Sequence, residues 1–216
     1  MTTDLAQTMQ EYFDRYSCQR YEKGQILLFP GEASEWLYFL KNGVVKQYAI
    51  SYRGDQIVVR IFKAPMCFPL VPALTHLPNK YFFEAETVVE IYRAPTGEVL
   101  RFLRSNANVL YGLLTKIFFD MDSTLSRVLC LMTGTAKSRL IYELLSEVRL
   151  YDWEDGKAVL RISEKDLASR AGLSRETINR QIQKLKQQHL ISVKRGRIVI
   201  PDVQKLSKCL EKEINL

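Results

Sequence analysis

The stretch from Ile162 to Ile200 constrains this chain most, because it combines helical periodicity, a glycine break, a second helix start and a hairpin pattern. In ISEKDLASRAGLSRETINRQIQKLKQQHL, Leu167 and Ala168 give a first helix its apolar face. Gly172 permits a tight turn, and Leu173 can pack between the two helices. Ser174 reads as the cap of the second helix, its hydroxyl accepting from an orphan backbone N–H, with Glu176 near the positive end of the helix dipole. On that helix Ile178, Ile182 and Leu185 share one side and point inward. Arg175, Glu176, Asn179, Arg180, Gln183 and Lys184 are left on the other. Ile191 to Val193, the basic turn Lys194-Arg195-Gly196-Arg197, and Ile198 to Ile200 then predict a small hairpin beside the helix.

Those residue types suit the reading of base edges in a major groove. An arginine can fork onto guanine O6 and N7, and a glutamate can accept from cytosine N4. A charged face is also the default on any surface helix. A helix-turn-helix followed by a basic wing is more specific than either part. Charge distribution agrees: residues 137–216 carry seventeen Lys and Arg against eleven Asp and Glu, while residues 1–136 carry fourteen against thirteen. Within residues 163–197 the count is nine against three, the footprint of a phosphate-binding surface, although an acidic partner or membrane could also use one.

Upstream, the period changes twice. Residues 1–20 can form an amphipathic helix through Leu5, Met9, Tyr12, Phe13 and Tyr16. From Tyr21, glycines punctuate short apolar segments at Gln25 to Phe29, Trp36 to Lys41, Val44 to Ile50 and Gln56 to Phe62. Asn42-Gly43 and Arg53-Gly54-Asp55 supply turns between them. Tyr81 to Tyr92 adds two more strands, so a compact antiparallel roll is expected, closed by Pro95 and a helix.

The longest helical run is Asn108 to Met132. Leu110, Leu114, Ile117, Met121, Thr124, Val128 and Leu131 form a heptad seam along it. Such a stripe is covered either by a second copy or by the chain's own roll, and Phe118, Leu125 and Leu129 widen it enough for both. Thr133-Gly134-Thr135 reads as a hinge. Lys137 to Leu150 follows as a short helix with Leu140, Leu144 and Leu145 inward, then a turn at Asp152 to Gly156, a strand at Ala158 to Ile162 and, after the wing, a last helix from Pro201-Asp202.

Cys18, Cys67, Cys130 and Cys209 form no CxxC pair, so reduced structural thiols are expected rather than a zinc or iron–sulfur site. A redox role for Cys18 or Cys67 stays open. A lone His76 beside Pro78 reads as a surface residue rather than a haem ligand. No P-loop, nucleophile elbow or His-centred triad is present, and Glu84 and Glu86 are expected to face solvent, so catalytic residues and metal ligands are both set at none. No run reaches membrane-spanning length, and no secretion signal opens the chain, so a cytoplasmic protein without a membrane partner is expected.

The stretch Leu173-Ser174-Arg175-Glu176-Thr177, with Arg180 and Leu190-Ile191, resembles the winged helix-turn-helix of the catabolite-activator and anaerobic-regulator (CRP/FNR) family of bacterial transcription factors. The order K-G-Q, then Phe29-Pro30-Gly31-Glu32, then Tyr38 and Asn42-Gly43-Val44 is similar to the opening of a cyclic-nucleotide-binding roll. The resemblance implies an α+β chain: an effector-sensing β-roll over residues 1–107, a dimerisation helix and hinge over 108–135, and a winged helix-turn-helix over 136–216. It further implies a homodimeric DNA-binding regulator acting with RNA polymerase, whose Arg175, Glu176, Asn179 and Arg180 read bases in a palindromic TGTGA-like site. Ser163, Ser174, Thr177, Lys194, Arg195 and Arg197 would hold phosphates. The open alternative is a small-molecule-binding module that docks on a protein without DNA.

Relatives that bind cyclic nucleotides hold the phosphate with a Gly-Glu pair and a later Arg-Ser or Arg-Thr pair. Here Phe68-Pro69 and Asn79-Lys80 fall in those places. A proline-containing turn offers fewer free N–H donors, and Lys80 is a point charge rather than a fork. Binding of cAMP in the usual way is therefore not expected, and no cofactor is predicted. An apolar effector pocket could be lined by Met66, Phe68, Asn79, Lys80, Tyr81, Phe83 and Thr124, although aromatic residues in strands are more often plain core. Phe82 stands among them. Thr124 lies where the long helix touches the effector in such proteins, and Leu125 departs from the polar residue expected beside it. Whether an effector, a protein partner or neither acts on the roll is left open.

Overall fold

The computed structural model describes residues 3–33, 35–52, 54–148, 153–154, 156–194 and 196–214. The chain divides into two compact units, residues 1–120 and 121–216, with the division inside one long helix.

The first unit opens with α1 (Thr3–Phe13), followed by β1 (Cys18–Tyr21), β2 (Ile26–Leu28), β3 (Trp36–Asn42), β4 (Val44–Ile50), β5 (Gln56–Lys63) and β6 (Met66–Phe68). A short α2 (Leu70–Thr75) precedes β7 (Phe82–Ala85), β8 (Val89–Pro95) and α3 (Thr96–Ser105). Two antiparallel four-stranded sheets result, ordered β1-β8-β3-β6 and β2-β7-β4-β5. Strand β3 shows why its apolar run does not alternate. Leu37 and Phe39 pack toward α1 and α3, Tyr38 and Leu40 join the core between the sheets, and all four are buried. At the β3–β4 turn Gly43 has φ +89°, and a Cβ there would lie 2.4 Å from the main-chain oxygen of Val88. Only glycine fits that approach.

Three sequence expectations are corrected in this unit. The first helix ends at Phe13, and Cys18–Tyr21 is a strand paired with Val89–Tyr92, a partner far along the chain that local periodicity cannot signal. The stretch between β5 and β7, where a proline-containing turn is expected at Phe68-Pro69, contains β6 and α2. Pro69 sits at the N-cap of α2 and Pro72 in its first turn, where a missing N–H costs no helical hydrogen bond. Glu84 and Glu86 are not solvent-facing: Lys46 Nζ lies 2.8 Å from Glu84 Oε1 and 3.7 Å from Glu86 Oε2, and all three side chains are largely covered.

Helix α4 runs from Ala107 to Thr133. Within the first unit its Val109 and Leu113 are buried with Leu5 and Met9 of α1. The approach is close at Gly112, where a Cβ would come within 2.8 Å of Leu5 Cδ2. The seam positions take another direction. Leu110, Leu114, Ile117, Met121, Thr124 and Val128 are exposed and Leu131 half-buried, and Phe118, Leu125 and Leu129 are exposed as well.

The second unit continues with α5 (Ala136–Val148), β9 (Trp153–Glu154), β10 (Lys157–Leu160), α6 (Glu164–Ala171), α7 (Arg175–Gln187), β11 (Ser192–Lys194), β12 (Arg197–Ile200) and α8 (Val203–Ile214). Its sheet has the order β11-β12-β10-β9, so the hairpin shares a sheet with the strand that leads into α6. Leu140, Leu144, Leu160, Leu167, Ala171, Ile178, Ile182, Leu185, Ile200 and Leu206 form one core beneath it. The turn expected at Asp152 to Gly156 is corrected in part: Trp153–Glu154 is a strand, pairing antiparallel with Lys157 and Ala158 of β10, while Asp152 and Asp155 lie outside the described residues.

Candidate nucleic-acid interface

Two caps and one glycine set the angle between α6 and α7. Ser163 accepts from Asp166 N–H at 3.1 Å and donates to Asp166 Oδ2 at 2.6 Å. Ser174 accepts from Thr177 N–H at 3.2 Å, and the two hydroxyls lie 2.9 Å apart. Such caps satisfy the orphan donors of a first helical turn. Between the helices Gly172 takes the left-handed conformation, φ 61°, and Leu173 N–H closes onto Ala168 O at 3.0 Å. Leu173 packs against the core from the turn.

Ile178, Ile182 and Leu185 are buried, so α7 presents Arg175, Glu176, Asn179, Arg180, Gln183 and Lys184 on its exposed side, as the periodicity implies. The phosphate candidates Ser163, Ser174 and Thr177 sit at helix N-termini, which favour anions. Lys194 and Arg197 are exposed and face each other across the wing strands. Arg195 lies outside the described residues.

Four features of this unit escaped the sequence reading. Glu164, at the first position of α6, places both carboxylate oxygens 3.4 Å from Asn179 Nδ2 and one of them 3.8 Å from Arg175 Nε. Gln181 is buried although polar. Glu143 and Glu147, one turn apart on α5, are buried too, Glu143 meeting Arg127 Nε at 3.0 Å and Glu147 pairing with the buried Arg170. Arg127 also donates to the main-chain oxygen of Arg170 at 3.0 Å. The available signal was spacing: Glu143 and Glu147 share a helix face with Leu140 and Leu144.

In the roll, Met66, Phe68 and Phe83 belong to the core between the sheets. Phe68 stacks on Phe83 with ring centroids 5.3 Å apart and on Tyr38 at 5.6 Å. Tyr81 is partly buried against them. Phe82 instead stacks on Tyr48, centroids 5.0 Å apart. Asn79 is buried, and its amide nitrogen is held by the carbonyls of Phe29 at 2.9 Å and Tyr81 at 2.5 Å. Lys80 is exposed, as are Thr124 and Leu125 on α4. His76 is exposed at the C-cap of α2. Among the described residues no group of three or more His, Cys, Asp or Glu side chains is placed to hold a metal ion, and no helix is long and apolar enough to cross a membrane.

Two helices joined by a glycine turn, a wing hairpin beside them and an antiparallel roll upstream make up the architecture of a helix-turn-helix transcription regulator. Comparison with known proteins agrees: residues 18–106 match the cyclic nucleotide-binding domain, and residues 138–209 the Crp-like helix-turn-helix domain. The chain belongs to the CRP/FNR family of DNA-binding transcription regulators, a family of regulators and not of enzymes. It is 26% identical over 195 residues to a global nitrogen regulator from Nostoc sp., covering 88% of this chain and 87% of that one. It is 28% identical to the transcriptional regulator SdrP from Thermus thermophilus, covering 88% and 93%. A solved CRP/FNR-family regulator, also from Thermus thermophilus, superposes with a TM-score of 0.71 at 25% identity, over 90% of this chain and 98% of the other.

Proposed function

We propose that the protein is a homodimeric regulator that reads a palindromic TGTGA-like site through α7, acts on RNA polymerase, and does so without cAMP. The observation that carries the dimer is the seam of α4, where Leu110, Leu114, Ile117, Met121 and Val128 are all more than a third exposed. A contiguous apolar stripe of that kind is the mark of an interaction surface, and its heptad spacing matches a second copy of the same helix. Two-fold pairing sets two α7 helices about one DNA turn apart, roughly 34–36 Å, which calls for a palindrome.

Arg175 and Arg180 are assigned to guanine and Glu176 to cytosine, the set that resembles the readers of a TGTGA-like half-site. Asn179 tunes the preference. The capping hydroxyls and the wing cations position the protein on phosphates without specifying sequence. Independence from cAMP is supported by the roll: Phe68 fills the interior, Pro69 and Pro72 carry no N–H, and the buried Asn79 amide is engaged by main-chain carbonyls.

The test joins sedimentation of the full chain with fluorescence anisotropy on a palindromic TGTGA-type duplex and a scrambled one, at fixed salt, with and without cAMP. A dimer that prefers the palindrome equally in both conditions is expected. A monomer, or preference that appears only with cAMP, overturns the corresponding part of the proposal.

A further inference from the structure

We propose that Glu164 is a positioning residue for base readout: its carboxylate fixes the amide of Asn179 so that the amide oxygen faces the groove and selects an amino-bearing base. A carboxylate offers only acceptors, so the Asn179 amide must turn its N–H groups toward Glu164, and both oxygens of Glu164 lie 3.4 Å from that nitrogen. The amide oxygen is then the acceptor left for DNA. In the major groove the donors are adenine N6 and cytosine N4, so the base facing Asn179 is adenine or cytosine. Arg175 Nε, 3.8 Å from Glu164 Oε2, is restrained by the same carboxylate.

Charge makes this role separable from a structural one. Glu164 is one of three acids among nine bases in residues 163–197. A negative charge on a phosphate-binding surface weakens binding to every duplex alike. Glu164 therefore lowers affinity for DNA in general while raising discrimination at the position that Asn179 reads. Glu164→Gln removes the charge but keeps a carbonyl acceptor for the amide, whereas Glu164→Ala removes both.

The inference rests on α7 being the base-reading helix, and the experiment tests the two separately. Full-length wild type, Glu164→Gln, Glu164→Ala and Asn179→Ala are each used to enrich sites from a library of random duplexes. Affinities for the wild-type site and a scrambled duplex are then measured for each variant. Glu164 and Asn179 lie on the surface, and thermal unfolding checks that each variant is folded. Wild type is expected to enrich a palindrome with adenine or cytosine at one position of each half-site. Glu164→Ala should keep the palindrome, lose that one preference, bind scrambled DNA more tightly, and reduce discrimination at that position roughly tenfold. Glu164→Gln should bind scrambled DNA more tightly while keeping the preference.

An Ala variant that strengthens binding to all duplexes equally and leaves the preference intact would overturn the proposal, since Glu164 would then act by charge alone. An unchanged site for Asn179→Ala overturns it as well. A wild type that enriches no palindrome overturns the assignment of α7, and this inference with it.

Discussion

The guanidinium of Arg127 donates to the main-chain oxygen of Arg170 across 3.0 Å. The acceptor is in the last turn of α6, where carbonyls have no partner within the helix, and the donor is on the C-terminal half of α4. Because Arg127 Nε also meets Glu143 of α5 at 3.0 Å, one side chain holds three helices of the second unit together.

Arg127→Ala is therefore expected to destabilise the second unit by about 2–3 kcal/mol, since it removes the cation facing a buried carboxylate. Urea unfolding followed by a probe in residues 121–216 should show a lower midpoint with an unchanged slope.

The pair Arg170–Glu147 is more deeply covered, with side chains 9% and 2% exposed. Arg170→Ala is expected to cost about 3–5 kcal/mol, because it strands a buried charge. Replacing both partners, Arg170→Met with Glu147→Leu, should recover most of that loss. Thermal unfolding of the single and double variants measures the difference.

Gly31 and Gly43 share φ +89°, but their surroundings differ. A Cβ at Gly31 meets nothing within 4 Å, whereas at Gly43 it meets Val88 O at 2.4 Å and Thr87 Oγ1 at 2.8 Å. Gly31→Ala is expected to cost about 1–2 kcal/mol, the strain of the left-handed conformation alone. Gly43→Ala should cost clearly more, because Val88 is backbone and cannot rotate aside. Denaturant midpoints of the two variants compare them directly.

Among the four thiols, Cys67 is buried and Cys18 exposed. Burial pushes the Cys67 thiol far above its ordinary range, and burial with the neighbouring Glu143 carboxylate raises that of Cys130. Only the thiolate is a good nucleophile, so alkylation of the native protein at mildly alkaline pH should mark Cys18 first. Cys67 and Cys130 should react only after unfolding. Peptide mass mapping over time gives the order.

Elements that carry their own local signal were legible in the sequence. The α7 start showed in Ser174 and Glu176, its inward face in Ile178, Ile182 and Leu185, the hairpins in glycine turns, and the long helix in its heptad spacing. What stayed hidden depends on partners far along the chain. Strand β1 exists because β8 lies beside it, and the periodic aromatic residues before it pointed to a longer helix. Arg170, Glu143 and Glu147 drew no attention in the sequence, because their burial depends on ion pairs with partners on other helices. Glu164 meets Asn179 through a contact between two helices, and spacing on either helix alone does not register it. Pro69 concealed the start of α2 by suggesting a turn where it stands at the helix N-cap.

Strand β12 of the wing is hydrogen-bonded to β10, with Leu160 opposite Ile198, and the chain then runs only through Arg161 and Ile162 before Ser163 caps α6. The wing hairpin and the start of α6 thus share one sheet and one core, like two jaws cut from a single block. On the proposed reading, the described parts of both elements are already folded when they meet a duplex. The heat capacity of association should accordingly stay small, without the large negative change that accompanies the ordering of a disordered arm, and the entropy gained should come mainly from cations released by the DNA.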